Sequence, residues 1–296
     1  MMKKTGYIAI VGRPNVGKST LLNALLGEKI AIVSNKPQTT RNRILGILTR
    51  GEAQFVFVDT PGMHKPQNTL GDFMVEAANA SMREADAVVL MVDAGREVTQ
   101  IEENVIRYLK QSGIPAVLAL NKCDLYNAPE IAQAIERYAA LHDFAAVVPL
   151  SAKNGKQVFD VLDECEKLLG EGDWFFPEDM ITDQPERALA AEIIREKLLR
   201  TLNKEVPHGV AVVIEEFKDE GSMVRIRAEI FCEKASHKGI IVGKNGAELK
   251  MVGTYARQDL EKLLGTKVYL NLWVKVKENW RDSRAAVGNF GYREEN

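Results

Sequence analysis

The sequence predicts an α/β protein in two parts: a doubly wound domain with a mostly parallel sheet, then a smaller α+β domain. Three observations carry this. Across residues 1–169, short apolar runs alternate with stretches of helical period. The Gly-rich string Gly12-Arg-Pro-Asn-Val-Gly-Lys18-Ser19 stands between the first such run and the first helical stretch. Near residue 170 a segment rich in Gly, Pro and acid interrupts the alternation, and a different order of elements follows.

Tyr7–Val11, Phe55–Val58, Ala87–Val92, Ala116–Leu120 and Val147–Leu150 are near-continuous aliphatic runs, the pattern of strands buried on both faces. Between them, Ser19–Leu26, Leu70–Glu84, Thr99–Gln111, Ile131–Leu141 and Val158–Leu169 have helical period. Strand–helix alternation implies right-handed crossovers, with ligands at the carboxyl ends of the strands. This domain is expected over residues 1–172 and a linker over 173–184, leaving 185–296 for the second domain. There the order is an amphipathic helix Glu186–Leu202, strands Val210–Phe217 and Met223–Phe231, a short helix ending near Val242, a helix Ala247–Leu264 and a strand Lys267–Lys277. The segment Glu278–Asp282 beyond it has no role legible in the sequence.

Composition excludes several classes. With 46% hydrophobic and 27% charged residues, the chain falls in the ordinary globular range. Its longest apolar run, Ala87–Val92, is far short of the ~20 residues that span a bilayer, and Ile8–Val11 is too short for the core of a signal peptide. Cys123, Cys165 and Cys232 are widely spaced with no CxxC pair, which argues against a disulfide framework or thiolate zinc site and for a reducing cytoplasm. The net charge of −2 is nearly neutral, but residues 234–284 hold 11 basic against 5 acidic side chains. A basic patch on a neutral chain points to a polyanion contact there.

Gly12–Ser19 fits GxxxxGK[ST]. Gly12 and Gly17 let the loop wrap closely, so that backbone N–H groups and the helix N-terminus point at phosphates. Lys18 is expected on the β- and γ-phosphates and Ser19 on Mg²⁺. Asn121-Lys122-Cys123-Asp124 ends the fourth apolar run. The Asp124 carboxylate is acceptor-only and matches the two adjacent donors of guanine, which adenine lacks. Ser151-Ala152-Lys153 follows the next run and would bring the Ala152 N–H to guanine O6. Asp59-Thr60-Pro61-Gly62 closes the second run; Asp59 is expected to hold Mg²⁺ through water and Gly62 to meet the γ-phosphate. Thr39 and Thr40 lie in a polar stretch before that run. A threonine there ligates Mg²⁺ only while the γ-phosphate holds the loop, which defines a switch; Thr40 is preferred over Thr39. Together these motifs point to GTP and GDP as ligands.

These residues resemble the translation-factor-related GTPases, whose five nucleotide motifs are matched over residues 7–155. Where many small GTPases carry the glutamine that orients the attacking water, this chain has Met63. The resemblance therefore implies slow intrinsic turnover and no certain catalytic side chain. Asn15 resembles the loop asparagine that helps hold K⁺ beside the phosphates in relatives lacking the glutamine, which implies K⁺ stimulation. His64, next to Met63, is expected to be a solvent-facing loop residue rather than a base.

Gly243-Lys-Asn-Gly246 is a GxxG, a string expected about once by chance in a chain of this length; Gly288-Asn-Phe-Gly291 is another and is given no function. The first is set apart by the helical stretches on both sides. A glycine-flanked turn there admits phosphates to backbone and helix N-termini, the clamp of a KH domain, which grips about four single-stranded nucleotides. Lys238, Gly243, Lys244, Asn245, Gly246 and Lys250 are the expected RNA contacts, and the helix–strand–strand order before them matches the type II arrangement.

A P-loop GTPase domain joined to a C-terminal type II KH domain resembles the bacterial Era family, over essentially the whole chain. Phe176–Asp183 and Ala191–Lys197 are similar to that family too. The resemblance implies binding to the 3′ end of 16S ribosomal RNA, a role in assembly of the 30S subunit, and cytoplasmic residence with some peripheral contact at the inner face of the cell membrane. Two other readings stand beside it: a constitutive RNA-binding protein with a structural nucleotide, and a metabolic ATPase or phosphotransferase, which Asn121–Asp124 argues against.

Overall fold

The computed structural model describes residues 2–292. Contacts divide it into two compact units, each described by itself. The first takes in the chain to Ala31, Thr40–Lys65 and Met74–Asp183; the second takes in Ile32–Thr39, Pro66–Phe73 and the chain from Gln184. The sequence reading cut the chain once, near residues 173–184. The units instead interleave, because two loop segments of the N-terminal part make their contacts with the C-terminal part.

In the first unit β1 (Lys4–Val11), β2 (Ile44–Arg50), β3 (Ala53–Asp59), β4 (Ala87–Asp93), β5 (Ala116–Asn121) and β6 (Ala146–Pro149) form a sheet in the order β2-β3-β1-β4-β5-β6. β1, β3, β4, β5 and β6 are parallel, and β2 runs antiparallel to β3. A two-residue β7 (Gly170–Glu171) pairs antiparallel with β1. Period-2 alternation sends neighbouring residues to opposite cores. Ile8, Ile10, Val89 and Met91 pack with α1 (Lys18–Leu26) and α5 (Val158–Glu166). Ala9, Val11, Leu90 and Val92 pack with residues of α2 (Thr69–Glu84), α3 (Gln100–Ser112) and α4 (Ala128–Ala139). Helices on both faces are what make every strand run apolar.

β2 is absent from the sequence reading. Its apolar residues are interrupted by Gly46, a poor strand former, yet a Cβ there would lie 2.5 Å from Leu22 Cδ1 of α1. The glycine lets helix and edge strand meet. The expected linker is also more ordered than its composition suggests. Gln54, fully buried in β3, donates to Phe176 O (2.8 Å) and accepts from Phe176 N (3.0 Å). Further along, Ile47 N–H donates to Ile181 O (2.9 Å) and Thr182 Oγ1 to Leu45 O (2.7 Å). The segment satisfies the open edge of β2.

In the second unit β8 (Ala211–Asp219), β9 (Met223–Cys232) and β10 (Lys267–Val276) lie in the order β10-β9-β8. β9 is parallel to β10 and antiparallel to β8. Val224, Ile226, Ala228 and Ile230 turn one face toward α6 (Glu186–Thr201), α7 (Ala235–Val242) and α8 (Ala247–Leu264). The expectation of an amphipathic α6 is corrected: Arg195, Glu196 and Lys197 are buried. Glu196 accepts from Lys197 Nζ (3.1 Å), Arg200 (3.0 Å) and the Val33 N–H (3.1 Å). Lys197 also reaches Asp259 of α8. Burial of charge at this cost holds only where each charge is paired. No helix among the described residues is long and apolar enough to cross a membrane.

The segment after β10 closes the unit. Trp280 is 0% exposed and its Nε1 donates to Gly209 O (2.9 Å), with the rings of Phe290 and Tyr292 at 5.1 and 6.1 Å. α9 (Arg284–Asn289), also unanticipated, follows; it contains the first half of the second GxxG string. Trp280→Ala is expected to lower unfolding stability by about 3–5 kcal/mol, and Trp280→Phe by about 1–3 kcal/mol, since Gly209 O then loses its buried donor. Urea denaturation of the three proteins checks this order.

Candidate functional site

The expected nucleotide residues converge at the carboxyl ends of β1, β3, β5 and β6. α1 begins directly after Gly17, which has φ +109°. A Cβ on Gly17 would lie 2.4 Å from Asn121 Nδ2, so only glycine lets the loop close on the end of β5. Asn15 also holds a left-handed conformation (φ 63°), and a Cβ on Gly62 would meet the Pro14 backbone at 2.7 Å. The helix N-terminus and successive loop N–H groups form an anion-binding concavity.

Lys18 is buried, and its Nζ donates to Gly12 O (3.2 Å) and Arg13 O (3.1 Å). Burial pulls its pKa down to about 8, with Asp59 pulling the other way. Asp59 is fully buried as well: burial pushes its carboxyl up to about 6, against Lys18, Ser19 and Thr40. Ser19 Oγ donates to Asp59 Oδ2 (2.5 Å) and lies 2.8 Å from Thr40 Oγ1, which is 3.4 Å from the same carboxylate oxygen. Asp59 Oδ1 is buried with no hydrogen-bond donor. Two hydroxyls around one carboxylate are hard oxygen ligands of the kind Mg²⁺ takes alongside phosphate oxygens, and the orphaned Oδ1 fits a metal-bound water. Thr39, by contrast, spends its hydroxyl on Lys36 O (2.6 Å); Thr40 is the one that stands at Ser19 and Asp59.

At the base end, Asn121 is a fastener. Its Nδ2 donates to Val16 O (2.6 Å) and its Oδ1 accepts the Ala152 N–H (2.9 Å). One amide hydrogen is left for a base. The expectation that the Ala152 N–H is aimed at guanine O6 is thereby revised: in this structure that N–H is directed at Asn121. Asp124 is exposed, and the Ser151 hydroxyl holds its carboxyl below the usual range, with Lys153 adding to the effect. Lys122 has φ 64° and reaches Asp93 Oδ2 (2.9 Å).

Asp93 was missed by sequence reasoning. Burial raises its carboxyl, but Lys122, the Gly95 N–H and the Tyr126 hydroxyl outweigh that and hold it low. Its signal was an acid terminating a wholly apolar central strand. Arg13 was missed too; its guanidinium pairs with the fully buried Glu102 at 2.9 Å. Met63 packs partly against the core, and its N–H donates to Gly12 O (3.0 Å). His64 is not a plain solvent-facing residue, because its Nδ1 lies 2.8 Å from Gly62 O.

The second expected site lies between α7 and α8. Gly243 has φ 72°, and a Cβ there would meet Glu248 Cγ at 2.5 Å and its backbone N at 2.9 Å. Gly246 (φ 78°) has nothing within 4 Å of that position and opens on solvent. Lys244 and Asn245 between them are exposed, as are Lys238 on α7 and Lys250 on α8. Beside the turn runs a groove of about 450 Å³ whose lining includes Gly246, Lys250, Arg257, Tyr269 and Leu272. A backbone turn open to solvent, ringed by cations and next to a partly apolar groove, suits a phosphate chain carrying bases.

Similar proteins bear on both sites. Residues 7–122 match the family described as 50S ribosome-binding GTPase, and residues 205–281 match the KH domain family. GTPase Era of Ruminiclostridium cellulolyticum is 48% identical over 294 residues, covering 99% of both chains. GTPase Era of Clostridium kluyveri is 48% identical over 293 residues, covering 99% of this chain and 100% of that one. A crystal structure of Era in complex with MgGDPNP and nucleotides 1506–1542 of 16S ribosomal RNA superposes with a TM-score of 0.95 at 43% identity, covering 98% of this chain and 99% of that one. A structure of an Aquifex aeolicus Era variant bound to GDP·AlF4⁻ gives a TM-score of 0.94 at 44% identity, covering 98% and 99%.

The buried charges predict a pH profile. Between about pH 4 and 6 folded Asp59 keeps a proton that the unfolded chain has released, so its contribution to stability falls as pH rises through that window. From about pH 8 to 10.5 Lys18 is neutral only when folded, so its contribution rises there. Both are charged between about pH 6 and 8. The Mg²⁺-dependent part of the nucleotide-induced rise in Tm is therefore expected to be full near pH 7 and to shrink below pH 6. A flat profile from pH 5 to 7.5 would contradict the burial of Asp59.

Proposed function

Because this chain belongs to the Era family of GTPases, we propose that it is a GTP-controlled RNA-binding assembly factor for the 30S ribosomal subunit, acting on the 3′ end of 16S ribosomal RNA. Its first unit binds and hydrolyses GTP, and its second holds RNA at Gly243–Gly246. The observation that carries the switch is the position of Thr40. Its hydroxyl stands at Ser19 and Asp59. The segment just before it, Ile32–Thr39, belongs by its contacts to the second unit. There the Val33 N–H donates to Glu196, Arg200 donates to Val33 O (3.2 Å), Lys36 reaches Leu202 O and Arg195 reaches Thr39 O. A change at Thr40 is thus transmitted along the chain to α6.

In this reading Lys18 neutralises the β- and γ-phosphates, and Gly12, Asn15, Gly17 and Gly62 shape the loop around them. Ser19 and Thr40, with Asp59 through water, are the ligands offered to Mg²⁺, which when bound neutralises charge on the phosphate oxygens. Asp124 reads guanine, held in place by Ser151 and Lys153, while Asn121, Lys122 and Ala152 organise the pocket. Met63 is a poor hydrogen-bonding partner for water, so unaided turnover is slow. Asn15 is proposed to hold K⁺ beside the phosphates. Cytoplasmic residence, with peripheral contact at the inner membrane face, belongs to the proposal through family membership alone.

Three outcomes are expected. Asp124→Asn lowers GTP affinity by at least a hundredfold and transfers preference to xanthosine triphosphate, because xanthine presents an acceptor where guanine has its amino group; nucleotide competition measures this. Asp at Lys244 and Asn245 lowers RNA affinity more than tenfold by phosphate repulsion and flattens its salt dependence, with GTP binding unchanged. GTP hydrolysis is several-fold faster in K⁺ than in Na⁺ buffer, and Asn15→Ala removes the difference.

A further inference from the structure

The three-stranded sheet has a second face. Its inner face is covered by helices, and the pleat turns the alternate residues outward. On β10 these include Lys267, Tyr269, Asn271, Trp273 and Lys275; on β9 Arg225, Arg227 and Glu229; on β8 Glu216 and Lys218. The register sets Tyr269 beside Arg225 and Lys218, Asn271 beside Arg227 and Glu216, and Trp273 beside Glu229. Trp273 is 59% exposed and Tyr269 47%, while Trp280 of the same unit is wholly buried. Large aromatic surface left in water on one strand face is an unusual cost for a domain to carry.

The chemistry around the two rings is cationic. The Arg225 guanidinium lies over the Tyr269 ring, 4.9 Å from its centroid. Lys275 pairs with Glu229 at 2.5 Å, which neutralises one of the two carboxylates in these rows. Arg225 also pairs with Glu220 (3.0 Å), so Lys218, Arg227 and Lys267 are left against Glu216. Aromatic faces interleaved with cations suit single-stranded nucleic acid, because every base has a face to stack and every nucleotide a phosphate. Tyr269 and Trp273 are four residues apart on one strand, about 13 Å at the usual rise. A base stacked on each leaves room for another opposite Asn271.

The face is continuous with the clamp. β10 is an edge strand, and Tyr269 and Asn271 also line the groove beside Gly246 and Lys250. Groove and outer face therefore meet at that edge. The clamp itself takes about four nucleotides, whereas the Era relative was solved with nucleotides 1506–1542, far more than such a clamp holds.

We propose that the outer face of this sheet is a second RNA surface: Tyr269 and Trp273 stack bases of the single strand that runs out of the Gly243–Gly246 clamp, and Lys218 and Arg227 take its phosphates. This rests on the reading of the second unit as an RNA-binding domain. The test uses the full chain and overlapping fluorescent RNAs of about 4 and about 12 nucleotides from the 3′ end of 16S ribosomal RNA, at fixed salt. The wild type is expected to bind the best long RNA at least tenfold more tightly than the best short one. Trp273→Ala, outside the groove beside the clamp, removes most of that gain, a loss of roughly tenfold, and leaves short-RNA affinity and GTP binding within twofold; Trp273→Phe restores it. Equal long-RNA affinity in wild type and the alanine variant overturns the proposal, whatever else the face meets. So does a wild type that gains nothing from length while still binding short RNA, an outcome that spares the clamp. Failure of either length to bind overturns the RNA reading itself, and this inference with it.

Discussion

Two opposite charges, Lys18 and Asp59, are buried together at a loop that cannot satisfy them. The Lys18 ammonium has two carbonyl acceptors and the Asp59 carboxylate has one oxygen without a donor. Both pKa values are driven toward neutrality by burial, so the charged forms needed near neutral pH are held against a desolvation cost. Phosphates and a divalent cation are the ligands that would relieve it. The surrounding architecture maintains this arrangement. Parallel strands buried on both faces end side by side, and glycine lets the loop close against Asn121. The Asn121 amide then joins the loop at Val16 to the base pocket at Ala152. The proposed phosphate and base sites are therefore joined mechanically.

The second unit repeats the same backbone geometry at the clamp proposed for RNA. α1 and α8 each begin directly after a glycine with positive φ, Gly17 and Gly246, leaving helix N–H groups facing outward where phosphate can reach them. The difference lies in enclosure. Gly17 is packed against Asn121, whereas Gly246 faces solvent, as suits a long chain that must pass through rather than a nucleotide that must be held. Chain connectivity links the two. Thr40 stands at the buried carboxylate, while the segment before it is held by Arg195, Glu196 and Arg200 of α6. Those buried charges are why α6 is not the amphipathic helix its sequence suggests.

What was legible in the sequence had strong local causes. The five parallel strands are runs with no polar interruption, and α8 is bounded by Gly246 and Gly265, so its limits could be read directly. The motif residues were legible because loop chemistry at strand ends is encoded in short strings. What escaped depends on tertiary partners. β2 contains Gly46, which makes sense only beside Leu22 of α1. Phe176–Thr182 reads as a loose linker until Gln54 and Leu45 supply its hydrogen bonds. Asp93 and Glu102 look like surface acids, and only folding brings Lys122 and Arg13 to them. Trp280 carries no signal that distinguishes a core residue from an exposed one like Trp273. The pleat of β10 turns Trp273 outward, while Trp280, beyond the strand, is buried by its packing against Gly209, Phe290 and Tyr292.

In the proposed switch, nucleotide state at Ser19, Thr40 and Asp59 governs the RNA surface of the second unit. The direct measurement is the affinity of the full chain for nucleotides 1506–1542 of 16S ribosomal RNA, by fluorescence anisotropy at fixed salt, with GDP, with a non-hydrolysable GTP analogue, and without nucleotide. Binding that is tighter with the analogue than with GDP is the predicted result, with a difference of about fivefold or more expected for coupled sites. Equal affinity in all three states would contradict the switch.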